Sequence, residues 1–156
     1  MTHPNTRLRE APSERFAGSE RRIVLADAVA TLRAEPRPTV QGHRQVTLLH
    51  GQTLRLVLFA FEAGGHLPIY EPPGPVTLQG VSGTLRVRTP LDSYVLDAGQ
   101  LLLLDAGVSI DVDAVSEADM LLSISMYDEW GRRAPPDNAS AQQLEDAVVH
   151  PHRARE

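Results

Sequence analysis

The sequence predicts an all-β, single-domain protein, an antiparallel barrel or two-sheet sandwich with a short helix at each end. Three observations carry that expectation. From Gly64 to Ala114 short apolar runs alternate with Gly and Pro turns at the eight- to twelve-residue spacing of small β-barrels and sandwiches. Gln45–His50 and Leu54–Phe61 flank Gly51-Gln52, as the two arms of a hairpin would. The tripeptide Asp-Ala-Gly at 97–99 recurs at 105–107, and each copy sits between two apolar runs.

In chain order, residues 1–20 are polar and charged, without periodicity, and residues 1–22 read as a mobile tail. Leu25, Ala28, Val29 and Leu32 fall at helical spacing before Pro36 and Pro38, which predicts a short helix over residues 25–34 packed on the barrel or on a second subunit. In the first hairpin, a Gly at the first turn position suits a type II′ turn. On the return strand Leu54, Leu56 and Leu58 share one face and Val57, Phe59 and Phe61 the other, so both faces are expected to be covered. The Gly- and Pro-rich stretch 64–75 reads as an edge strand or loop. Strands follow at 76–81, at 85–88 with alternating apolar and charged residues, and at 94–96. Leu101–Leu104, wholly apolar, reads as a central strand buried on both sides. Val108, Ile110 and Val112 share the buried face of the next strand, and Met120–Met126 closes the barrel. The domain is thus expected to span residues 23–130, with a linker, a short helix opened by the Ser140/Gln143 capping box, and a tail in residues 131–156.

Composition narrows the function classes. All 15 basic residues are arginine, which removes lysine Schiff-base chemistry and the Walker A lysine. A net charge of -5 with 4% aromatic residues argues against nucleic acid as a partner. The absence of cysteine excludes disulfides and thiolate chemistry. No run of eighteen apolar residues and no charged-then-apolar start are present, so the chain is expected to be cytoplasmic, with neither a membrane span nor a signal peptide.

The glycine spacing resembles that of the cupins, whose small barrels carry two motifs. The first motif runs Gly, five residues, His-x-His, three or four residues, Glu, six residues, Gly. Laid on this chain it falls on Gly64, Tyr70, Pro72, Val76 and Gly83. The second falls on Gly99, Asp105, Gly107, Ile110 and Ala114. The glycines match and the ligand positions do not. The 15 residues between Gly83 and Gly99 also have the length common between the two cupin motifs. The resemblance covers about residues 45–126 and implies a jelly-roll barrel whose family often holds a metal ion at its centre.

With the ligand positions replaced, the barrel interior is expected to be lined by Tyr70, Val76, Ile110 and their strand neighbours, an apolar set with one phenol. That lining is either a plugged core or a dry pocket for a small hydrophobic ligand oriented by the Tyr70 hydroxyl. The plugged reading needs no functional explanation and carries the greater weight. Replacement metal ligands would have to come from His43, His50, Glu62, His66 or Glu71. His66 shares the parity of Tyr70 and counts with the interior set, but it lies about 13 Å away along an extended strand, at the mouth. Glu71 has the opposite parity. Asp111 and Asp113 alternate with the apolar face and read as exposed strand carboxylates. The expectation is a metal-free, cofactor-free homodimer with a non-catalytic role, either small-molecule binding or sensing, or accessory structure. The dimer would form through the strand 54–61 and the helix 25–34. A metal-dependent dioxygenase or isomerase with displaced ligands is the main alternative, and a dimeric interaction module with a filled barrel is the other.

Overall fold

The computed structural model describes residues 20–126. One helix and nine strands follow in order: α1 (Leu25–Arg33), β1 (His43–His50), β2 (Leu54–Phe61), β3 (His66–Tyr70), β4 (Val76–Ser82), β5 (Thr84–Arg88), β6 (Ser93–Asp97), β7 (Leu101–Leu104), β8 (Ile110–Ala114) and β9 (Ala118–Ser125). All pairings are antiparallel. A five-stranded sheet, β1-β2-β9-β4-β7, faces a four-stranded sheet, β3-β8-β5-β6. The expected all-β jelly roll is therefore present. The expected linker, C-terminal helix and tail of residues 131–156 lie outside the described residues.

The core sits between the sheets and follows from strand parity. Val57, Phe59 and Phe61 of β2, Val76 and Leu78 of β4, Leu85 and Val87 of β5, Ile110 and Val112 of β8, and Met120 and Leu122 of β9 form one buried cluster. Each lies two residues from the next on its strand, the spacing that keeps side chains on one face. The opposite face of β2 is covered by α1, whose Val29 and Leu32 are buried while Leu58 and Ala60 of β2 are 0% and 2% exposed. That helix is fastened at its C-terminal end by Arg33. Its Nη2 donates to Asp119 Oδ1 at 2.6 Å and to the carbonyls of Phe61 and Ala118, each at 3.3 Å.

Two expectations fail. Leu101–Leu104 is an edge strand rather than a central one. It pairs only with β4 in the sheet order, and Leu101 and Leu103 are 61% and 68% exposed while Leu102 and Leu104 pack on the core. Four consecutive leucines conceal a period of two, because a side chain's type does not reveal which face it takes. The first hairpin is also not a type II′ turn. Gly51 is outside the positive-φ region such a turn demands, and residues 51–53 form a three-residue loop closed by the Gly51 N–H on the Leu54 carbonyl at 2.9 Å. The tight primed turn lies one connection earlier, where Gln41 and Gly42 have φ 51 and 72 between Val40 and His43.

The glycines of the two motifs, Gly64, Gly83, Gly99 and Gly107, all have positive φ. At Gly83 the requirement is double. Its φ is 65, and a Cβ there would collide with the Glu117 carbonyl and with Ala118 at the start of β9.

Candidate functional site

The residues at the motif positions come together inside one end of the barrel. Tyr70, Val76 and Ile110 are 3%, 2% and 1% exposed, and Pro72 is buried in the loop between β3 and β4. Ile110 pairs with Tyr70 across β8 and β3. In the other sheet a single row runs Arg55, Ile124, Val76, Leu104 across β2, β9, β4 and β7.

Arg55 is the residue that the sequence reading passed over. It extends the parity of Val57, Phe59 and Phe61 and so faces the interior, 2% exposed. Its Nη2 lies 3.4 Å from Nε2 of His50, the last residue of β1. The signal was present: a strand whose odd positions are apolar from 57 to 61 places residue 55 on the same face. The interior is therefore not an apolar set with one phenol. It holds a guanidinium as well, and the β1 residues His43 and Gln45, opposite Phe61 and Phe59, face the same way.

The Tyr70 hydroxyl is buried and has no hydrogen-bond partner among the described residues. Burial pushes its pKa up to about 12, and the positive charge of Arg55 works against that rise. The phenol is neutral throughout the physiological range and is available as a hydrogen-bond donor.

His66 is not part of this set. Between Leu67, opposite Val112, and Tyr70, opposite Ile110, β3 advances three residues while β8 advances two. This bulge at Pro68 and Ile69 inverts the parity, so His66 and Tyr70 take opposite faces. Proline, which cannot donate to a ladder, is tolerated here because β3 is an edge strand. His66 lies on the outer face, where its Nε2–H donates to Asp111, with Asp113 3.9 Å away. Arg88 completes the cluster, bonded to Asp113 and 3.5 Å from Asp111. Asp111 and Asp113 are thus on the wet face as expected, but they are partly shielded and ion-paired. Glu62 and Glu71 are exposed.

His43 occupies the other end of the interior. It is 2% exposed, with ring centroids 5.8 Å from Phe59 and 5.5 Å from Phe61. Its Nδ1–H donates to the His66 carbonyl at 2.9 Å, joining β1 to β3, the adjacent edges of the two sheets. Burial lowers its pKa, so the ring is neutral.

A cupin-type metal does not fit these residues. Of the four motif positions only Tyr70 bears a donor atom, and its environment holds it protonated. A metal ion needs several convergent, deprotonated ligands. Among the described residues no group of three or more His, Cys, Asp or Glu side chains is arranged to hold one.

Solved structures share this architecture. A cupin superfamily protein from Desulfitobacterium hafniense aligns over 69% of this chain and 93% of its own, with a TM-score of 0.57 and 18% identity. The fold is that of the cupins. A conserved protein of unknown function from Streptococcus pyogenes aligns at 24% identity over 55% of this chain and 75% of its own, TM-score 0.51. A salicylate 1,2-dioxygenase from Pseudoaminobacter salicylatoxidans aligns at 17% identity over 64% of this chain and 31% of its own, TM-score 0.53. No family model matches the sequence, and no curated protein does. The cupin neighbours thus include both uncharacterised proteins and an enzyme.

Proposed function

We propose that this cupin barrel acts without a metal and without catalysis, as a binder or sensor of a small, largely apolar molecule held in its interior. The observation that carries the reading is the Tyr70 hydroxyl, which is buried beside apolar side chains with no partner among the described residues. An unpartnered buried hydroxyl costs about 1–3 kcal/mol. A ligand that accepts its hydrogen bond removes that cost, so the group orients a guest. The donor-poor set Tyr70, Pro72, Val76 and Ile110 supports the metal-free half of the reading.

The homodimer belongs to the same proposal. Ile23, Val24 and Leu54 are 38%, 52% and 38% exposed near α1 and the start of β2, which supports an interface on that side. Light scattering at micromolar concentration decides it, and a monomer mass would mean that α1 alone covers β2. Among the described residues no helix is long and apolar enough to cross a membrane. A cytoplasmic setting accompanies the reading, supported by the cysteine-free composition.

Elemental analysis after chelator-free purification tests the metal-free claim. Substoichiometric metal is the expected result. About one equivalent of iron, manganese, nickel or zinc, released on Tyr70→Phe or His43→Gln, would put a metalloenzyme in its place.

A further inference from the structure

Four strands lie at the edges of the two sheets, and three of them carry a feature that discourages further pairing. β3 contains Pro68 and a bulge, β1 breaks register between Thr47 and Leu49, and β6 ends in the carboxylate of Asp97. β7 has none of these. Its four leucines include no charge and no proline, and its register is unbroken from Leu104 opposite Val76 to Leu101 opposite Gln79.

The ladder fixes which groups that edge presents. The Gly80 N–H donates to the Gln100 carbonyl at 3.0 Å, and the Ser125 N–H donates to the Pro75 carbonyl at 2.9 Å. Even-numbered residues of β4 therefore bond β7, and odd-numbered ones bond β9. Leu102 and Leu104 oppose Leu78 and Val76 and spend their backbone groups on β4, whereas the N–H and C=O of Leu101 and Leu103 point away from it. No strand among the described residues takes them up. The side chains of Leu101 and Leu103 are bare as well, at 61% and 68% exposed.

Parity and charge narrow the occupant. When two copies pair antiparallel with their outer faces on one side, opposed residues share parity, so their numbers sum to an even total. With Leu102 on the two-fold axis, Leu101 opposes Leu103 of the second copy, and each outward N–H meets an outward C=O. The Asp-Ala-Gly repeat at 97–99 and 105–107 is centred on the same residue, so Asp105 opposes Gly99 and Asp97 opposes Gly107. Moving the axis to Leu101 would set Asp97 against Asp105, two like charges, and moving it to Leu103 would set Asp105 against Leu101. About Leu102 the edge is its own complement.

We infer that β7 takes a second copy of this chain, β7 against β7 in antiparallel register about Leu102, so that two five-stranded sheets become one. This contact lies at the opposite edge of the sheet from β1 and α1, and it does not depend on what the barrel interior holds.

Light scattering of the full chain at micromolar concentration reads the contact. Leu101→Lys/Leu103→Lys blocks β7, and Val24→Glu blocks the α1 side. The two lysines should halve the mass of the parent and of Val24→Glu alike, with the far-ultraviolet circular dichroism unchanged, because both leucines are exposed. A monomeric parent, or a lysine variant with the parent's mass, would overturn the inference. A mass that falls in Val24→Glu and not in the lysine variant would place association on the α1 side alone and overturn it too. If the lysine variant does not fold, hydrogen exchange of the parent decides. The Leu101 and Leu103 amides should exchange about tenfold faster after dilution by about a hundredfold. Protection independent of concentration would mean that another part of the same chain covers the edge, which also overturns the second copy.

Discussion

His43 and Tyr70 are both rings buried in the barrel interior, 2% and 3% exposed, and they sit toward opposite ends of it. At the His43 end the fold uses one ring nitrogen and leaves the other, Nε2, buried without a hydrogen-bond partner among the described residues. Nδ1–H joins β1 to β3, the ring packs between Phe59 and Phe61, and the backbones of Gln41 and Gly42 accept from His66 and Glu62, each at 2.8 Å. At the Tyr70 end the hydroxyl joins nothing among the described residues. A buried polar group that closes a seam between two sheets explains itself as structure. One that closes nothing has no structural role of that kind. What differs between the ends is that one His43 nitrogen ties the two sheets together whereas the Tyr70 hydroxyl ties nothing, and that difference is why the proposal above rests on Tyr70.

The largest effect that would sharpen the contrast is at the seam. Phe61→Ala removes a fully buried ring and one wall of the His43 pocket, and large-to-small changes of this kind cost about 3–5 kcal/mol. Urea denaturation should show that loss. A loss under about 1 kcal/mol would mean that the seam end is loosely packed and that the two ends do not differ as described.

How much of this was legible in the sequence depends on what each residue's neighbours reveal. The barrel was, because alternation and glycine turns are local signals, and the motif glycines that suggested a cupin all have positive φ. Edge position was not, since Leu101 and Leu103 have the same side chain as Leu102 and Leu104, and only the sheet order exposes them. The side of His66 was lost to one extra residue at Pro68 and Ile69, because a bulge changes parity without changing composition. His43 lies before the expected strand 45–50, and only the pairing of a longer strand, His43 with Phe61 and Gln45 with Phe59, places both on the inner face. Arg55 could have been read from the parity of its own strand.

A second, smaller effect separates the ends by pH. The Tyr70 pKa is raised in the folded state to about 12 from 10.0 in the unfolded chain. The neutral phenol is the form the fold tolerates, so its contribution is complete below pH 10 and is lost as pH rises from 10 toward 12. The full difference corresponds to roughly 3 kcal/mol. His43 runs the other way: burial lowers its pKa below 6.5, so its contribution is present above that value and is lost as pH falls below it. Stability measured from pH 5 to 12 should therefore decline at both limits, with the alkaline decline flattened in Tyr70→Phe and the acid decline flattened in His43→Gln. An alkaline limb identical in Tyr70→Phe would show that the phenol is hydrated and not buried as described.

The smallest expected effect discriminates most sharply between structure and site. At pH 7 Tyr70→Phe keeps the ring and its packing and deletes only the hydroxyl. In most buried tyrosines that deletion destabilises, because a hydrogen bond worth about 1 kcal/mol is lost and its partner is stranded. Here no partner is present among the described residues, so the deletion should relieve a desolvation cost and raise stability by about 1 kcal/mol in the ligand-free protein. With a small apolar acceptor such as cyclohexanone at saturating concentration the sign should reverse, since the hydroxyl then has an acceptor to lose. The pair of measurements, urea unfolding of both forms with and without the ketone, reads that reversal directly. A variant less stable than the parent in both conditions would make Tyr70 a second structural seam like His43. A hydroxyl that weakens the empty fold and strengthens the occupied one is what a binding residue looks like in thermodynamic terms.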